Sequence, residues 1–183
     1  MNRRLRVSTF FVCSALLLTG CAKTVSKDEA WKFIEENYTS KEAKEMNAHS
    51  VTNVEKADGI FEGDTFKVGK EEEDSTFPVA PITKADLAVF SADYFEFKIQ
   101  GKKFIIEYNL KDAKDIFSSL DVPISLPEDA EFKGSASSKA VYDDNGYPES
   151  SVSKFDISFK YSKSGITFEG NLKMSNETKY SFK

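Results

Sequence analysis

Few residues in this chain are of a type that does covalent or acid–base chemistry, and their spacing narrows that chemistry further. There are two cysteines, Cys13 and Cys21, and a single histidine, His49. A cysteine acts through its thiolate, as nucleophile or metal ligand. Cys21 has the more specific setting, directly after Leu17-Leu18-Thr19-Gly20, where the glycine leaves room at the peptide bond. Any catalytic triad would have to use His49, and no nucleophile motif accompanies it. G-x-S-x-G, H-E-x-x-H, G-x-G-x-x-G and the P-loop do not occur in the sequence. One histidine with so few cysteines is a poor basis for a zinc site. Asp143-Asp144-Asn145-Gly146, with Glu149 downstream, has part of a calcium-loop pattern. The spacing fails after Asn145, and an Asn-Gly hairpin turn accounts for the same residues. Acidic residues are numerous enough for a glycosidase-like carboxylate pair, but their neighbours single out no particular pair. The expectation is no catalytic residue, no metal ligand and no cofactor beyond what Cys21 carries.

The residues ahead of Cys21 give it a context. Asn2-Arg3-Arg4-Leu5-Arg6 is basic, and Val7 to Leu18 is uncharged and mostly apolar. Twelve residues are too few to cross a hydrocarbon core of about 30 Å as a helix. The stretch therefore reads as a signal peptide. Its end, Leu18-Thr19-Gly20-Cys21, lacks the A-x-A-like site of an ordinary secretory leader and resembles, at each position, the lipobox of bacterial lipoproteins. The resemblance implies a diacylglyceryl group on the Cys21 sulfur and cleavage between Gly20 and Cys21. It also implies a chain held on the extracytoplasmic face of the cell membrane. Two acyl chains give a durable hold where one gives a marginal one. Ala22 after the anchor is compatible with outer-membrane sorting in a cell that has an outer membrane. The implied organisation is a leader at 1–20, a lipidated anchor and short tether at 21–26, and one domain at 27–183.

Removing the leader changes the composition. All three arginines and Cys13 leave with it, so 22 lysines face 30 acidic residues and the net charge is −8. An acidic, arginine-free chain is badly suited to nucleic acid, where cations neutralise phosphates and arginine forks read guanine. The expected partners are instead the lipid bilayer, through the anchor, and an apolar ligand or an envelope protein. The length after cleavage suits a single domain with a hydrophobic core. Lys70-Glu71-Glu72-Glu73-Asp74-Ser75, followed by Pro78 and Pro81, reads as an exposed loop.

The elements that would position these residues follow from periodicity. Ser26-Lys27-Asp28-Glu29 is a capping box. Ala30, Trp31, Phe33, Ile34 and Tyr38 then recur at helical spacing, which predicts a helix over about 27–38. Lys41 to Glu55 is mixed: Ala43-Lys44-Glu45-Met46 has helical character, and Asn47 to Val54 fits an extended strand. Ile60 to Val68 suggests another strand. Phe95, Phe97 and Ile99, then Phe104, Ile106, Tyr108 and Leu110, alternate around Gly101-Lys102, a two-residue turn with glycine first. Ala113, Ile116, Phe117 and Leu120 share one stripe of a short predicted helix over 111–120. The C-terminal third alternates as a β-meander through Ser137–Tyr142, Phe155–Tyr161, Ile166–Met174 and Thr178–Phe182. Period-2 alternation means a sheet with one apolar and one wet face. The phenylalanines are sufficiently explained as core, although some could line an apolar ligand cavity.

The predicted fold class is α+β: a curved antiparallel sheet, half-barrel-like, packed with an N-terminal helix and one or two short helices. An NTF2-like or cystatin-like helix-plus-sheet is the alternative. Ala140-Val141-Tyr142-Asp143-Asp144-Asn145-Gly146-Tyr147-Pro148 and the strands after it resemble a hairpin of the LolA/LppX-like superfamily over roughly Tyr108 to Phe182. That resemblance implies a half-barrel over apolar helices, with several members carrying lipids or lipoproteins, and it transfers no ligand residue. The expected function is a non-enzymatic, membrane-anchored lipoprotein that binds an apolar ligand, a lipid or an envelope partner. The alternatives are an interaction lipoprotein with a filled core and an envelope hydrolase with a carboxylate pair.

Overall fold

The structure, a computed structural model, describes residues 21–63, 66–88, 90, 93–111 and 130–183. The leader, including Cys13 and Gly20, and the predicted 111–120 helix beyond Lys111 lie outside the described residues. Eight strands form one open, curved sheet in which every neighbouring pair is antiparallel. They are β1 (Lys23–Val25), β2 (Lys44–Gly59), β3 (Gly69–Val79), β4 (Phe95–Gln100), β5 (Lys103–Leu110), β6 (Glu131–Tyr142), β7 (Pro148–Lys163) and β8 (Ile166–Phe182). Two helices, α1 (Lys27–Asn37) and α2 (Lys84–Leu87), complete the described elements. The order across the sheet is β1-β4-β5-β6-β7-β8-β2-β3. Strands β4 to β8 therefore form a sequential meander, and the β2–β3 hairpin is added beside the last strand.

Local chemistry explains most of these elements. The Ser26 hydroxyl accepts from the Glu29 amide at 3.2 Å, and the Glu29 carboxylate accepts from the Ser26 amide at 2.8 Å, so the capping box starts α1. Thr83 and Asp86 make the same reciprocal cap at α2, which the sequence reading missed. In the β4–β5 hairpin Gly101 takes φ +63° at the first turn position, as a type II′ turn requires. The β7–β8 turn is Ser164-Gly165, both left-handed at φ 52° and 79°. That pairing belongs to a type I′ turn, whose twist matches the flanking strands.

Four expectations need correction. Residues 23–25 of the expected tether pair with Phe97–Ile99 as β1. Ala43 to Met46 is not helical: β2 begins at Lys44, because Met46 is buried between Phe182 of β8 and Phe77 of β3. The described residues among 60–68 form no strand before Gly69; Phe61 and Glu62 amides donate back to Asp58 and Gly59 carbonyls in a turn that buries Phe61. Lys70 to Ser75 is exposed as expected, but it is strand and not loop, paired residue for residue with Ser75↔Ala48 through Lys70↔Asn53.

One face of the sheet is covered and holds two hydrophobic clusters. In the first, Ala30 and Ile34 of α1, its C-cap Tyr38 and Leu87 of α2 pack on Phe97, Phe104 and Ile106. Ring contacts tie it together: Phe104 stacks with Phe97 at 6.1 Å and with Phe33 at 6.2 Å. In the second, Val54, Phe61, Leu110, Ala136, Phe155, Ile157, Phe159 and Leu172 pack near the opposite end of the strands. The outer face is mostly polar, with cross-strand ion pairs such as Lys98–Glu107 and Lys173–Glu55, although Ile105 is buried on it opposite Val141.

Candidate functional site

The covered face is not apolar throughout. Between the two clusters the inward series of successive strands breaks at one height. In β7 it reads Ser151, Ser153, then Phe155; in β8 Met174, then Asn176, Thr178; in β2 Ala48, then Ser50, Thr52, then Val54. Register aligns these breaks. One row runs Tyr108, Ser138, Ser153, Asn176, Thr52, Glu71, and the next runs Ser151, Thr178, Ser50, Glu73. Directly opposed residues of a sheet share a face, so these side chains form a hydroxyl–amide strip crossing the strands.

The strip is organised by its own hydrogen bonds. Ser138 and Ser153 hydroxyls lie 3.0 Å apart. Asn176 Nδ2 donates to Thr52 Oγ1 at 2.8 Å, and Thr178 Oγ1 donates to Asn176 Oδ1 at 3.3 Å. The hydroxyls of Ser50 and Thr178 lie 2.9 Å apart. Thr178 is the buried polar side chain of the described core, at 7% exposure, while Ser50, Thr52 and Asn176 are half-buried. Burying such groups is tolerable only when they are bonded, and here the bonds are made along the strip. At the β3 end the strip opens into a depression of about 550 Å³, lined by Ser50, Thr52, Asn176 and Glu71 to Glu73. Glu72 points to the outer face and pairs with Lys70, which holds its carboxyl below the usual range. Glu71 and Glu73 share the strip's face and have no cation partner among the described residues.

The residues singled out from sequence lie elsewhere. Cys21 is exposed, two residues ahead of β1. His49 is on the outer face, with Nδ1 2.8 Å from Asp74 Oδ1 across the β2–β3 pair. Asp143 caps its own turn: Oδ1 accepts from the Asn145 amide at 2.8 Å and the Tyr147 amide at 3.0 Å. Glu149 pairs with Lys103 instead of closing a calcium loop. Among the described residues no group of three or more His, Cys, Asp or Glu could hold a metal ion.

Perturbed protonation is confined to structural positions. Burial pushes the Tyr142 phenol up to about 12. Burial, with Asp143 and Asp144 nearby, raises Tyr38 further, and its hydroxyl donates to the Lys102 carbonyl at 2.8 Å. The backbone and hydroxyl of Ser26 lower Glu29, and the Asn171 amide, followed by Lys56, lowers Asp58. Hydrogen bonding to Glu55 raises Lys173. None of these groups lies on the strip.

Of the phenylalanines that could have lined an apolar cavity, Phe97, Phe155 and Phe159 are buried inside the clusters, Phe95 is half-buried and Phe168 is exposed. Among the described residues no helix is long and apolar enough to cross a membrane. Compared with protein-family models, with curated proteins and with solved structures, the chain matches none.

Proposed function

We propose that this chain is a membrane-anchored extracytoplasmic lipoprotein, held by a diacylglyceryl group on Cys21, that works by binding and not by catalysis. Its binding surface is the hydroxyl–amide strip, and its ligand is a hydrogen-bonding group with a positive charge, on a small molecule or an envelope partner. The observation that carries this reading is the alignment of Ser153, Asn176, Thr52 and Glu71 across four strands. A sheet face selected only for packing has no reason to break its apolar series at the same height each time. The strip offers donors and acceptors already held in place, and Glu71 and Glu73 complement a cation at its open end. The half-barrel kind of fold, with the LolA/LppX-like resemblance, is supported by the sequential meander β4 to β8 under helices on one face.

The second reading is an interaction lipoprotein with a filled core. The ring-to-ring packing of Phe33, Phe97 and Phe104 favours it over carriage of a wholly apolar ligand.

The test is native mass spectrometry and in-cell crosslinking of the full chain against a Thr52→Val, Asn176→Leu variant. The expected outcome is a retained mass or a recurrent crosslinked partner that the variant loses, with little change in its melting temperature. Identical spectra and crosslinks for both chains would remove the strip as the binding surface. Intact mass of the same preparation reads the anchor, whose diacylglyceryl adduct should vanish in Cys21→Ala.

A further inference from the structure

We infer that the end of the sheet carrying Cys21 lies against the bilayer, with Phe77 and Phe182 as its phospholipid contacts. The inference rests on the lipoprotein reading above and gives it an orientation. Lys23 pairs with Ile99, beside the Gly101-Lys102 turn, so β1 starts at that end of the sheet. Only Ala22 separates Cys21 from Lys23, a reach of at most about 7 Å. A lipid on the Cys21 sulfur therefore holds this end close to the headgroups.

On the far side of the same end, Phe182 of β8 and Phe77 of β3 flank the buried Met46 of β2. Both rings are solvent-facing, at 48% and 40% exposure. Tyr147 meets Phe182 edge-on at 5.2 Å. Lys44 Nζ lies 5.0 Å from the Tyr147 ring centroid and 5.1 Å from that of Phe182. Aromatic rings with a lysine ammonium beside them suit a membrane interface, where rings sit at headgroup depth and the cation faces phosphate.

A second exposed apolar set, Val68, Ile166 and Phe168, lies at the opposite end. Strands β7 and β8, of 16 and 17 residues, separate the two ends by about 50 Å. The short reach from Cys21 cannot span that distance, so with the strands upright on the bilayer Phe77 and Phe182 meet it and Phe168 stands clear.

After lipidation of Cys21 the processed chain has no free thiol, which permits a clean test. Phe77→Cys, Phe182→Cys and Phe168→Cys, all at exposed positions, each receive one environment-sensitive fluorophore. The full chain is made in a lipoprotein-processing bacterium and reconstituted into phosphatidylcholine–phosphatidylglycerol vesicles containing nitroxide-labelled acyl chains. Probes at 77 and 182 should lose about half or more of their emission, as groups at the acyl boundary do, while the probe at 168 keeps its own. Unquenched probes at 77 and 182, or equal quenching at all three positions, would overturn the orientation. Intact mass separates the causes. A diacylglyceryl adduct with unquenched probes refutes the orientation alone, and a chain without the adduct refutes the lipoprotein reading and the orientation together.

Discussion

Gly146 is a residue whose side chain, or lack of one, is set by a neighbour far away in the sequence. It sits at φ +86°, where only glycine is unstrained, and a Cβ there would lie 2.8 Å from the Tyr38 ring. Tyr38 is itself buried at the end of α1 and bonded to the Lys102 carbonyl. Gly146→Ala should therefore destabilise the fold by about 1–3 kcal/mol, through backbone strain and displacement of the ring. Chemical denaturation reads this directly, and an unchanged midpoint would contradict the contact. The turn was legible in the sequence as Asn-Gly. The reason its glycine is needed was not, because Tyr38 lies on another element. Cys21 is the opposite case: the lipoprotein reading of it rests entirely on the residues just before it.

At the scale of the element, β3 shows how pairing can override pattern. Its residues are exposed almost throughout, so no face is selected for burial and no alternation marks it in the sequence. Its backbone bonds to β2, with the His49–Asp74 and Thr76–Asn47 side-chain bonds across the pair, make it a strand. Its charges then have a role at the sheet edge, where unpaired amides and carbonyls invite another chain. Replacing Glu71, Glu72 and Glu73 by threonine keeps strand propensity and removes that repulsion. The triple variant should self-associate at concentrations where the parent remains monodisperse, as light scattering would show; equal behaviour would mean that the edge is guarded some other way. The hairpin β4–β5 and the meander were legible because one face of each strand is buried and alternation records it. The strip was half legible. Ser50 and Thr52, or Asn176 and Thr178, visibly interrupt their apolar series, but that they meet depends on register, which no single strand encodes.

For the molecule as a whole, the shifted groups give stability a definite dependence on pH. The folded-state values of Glu29, Asp58 and Glu72 are depressed. Their contributions are present above the ordinary carboxylate range of about 4 and are lost as pH falls through the lowered values. Tyr38 and Tyr142 are raised by burial, so above about pH 10 the unfolded chain releases protons that the fold retains, and stability falls. Lys173, raised by Glu55, acts in the same direction as pH climbs past its folded value. Thermal melts should show a plateau between about pH 5 and 10 with the steeper loss on the alkaline side, where the groups concerned are buried. A melting temperature that keeps rising beyond pH 10 would contradict the burial of the two phenols.

The place of β2 also governs when the sheet can form. Its partner β8 lies far along the sequence, and the Ser50–Thr178 contact joins residues 128 positions apart. While the chain is emerging, the meander from β4 can pair as each strand appears, but β2 and β3 have no sheet to join until β8 is out. Contacts of such separation fold slowly, because loop closure precedes any gain from pairing. On the exported reading this delay has a use: the chain stays open during passage through the membrane, and the sheet closes only once β8 has crossed.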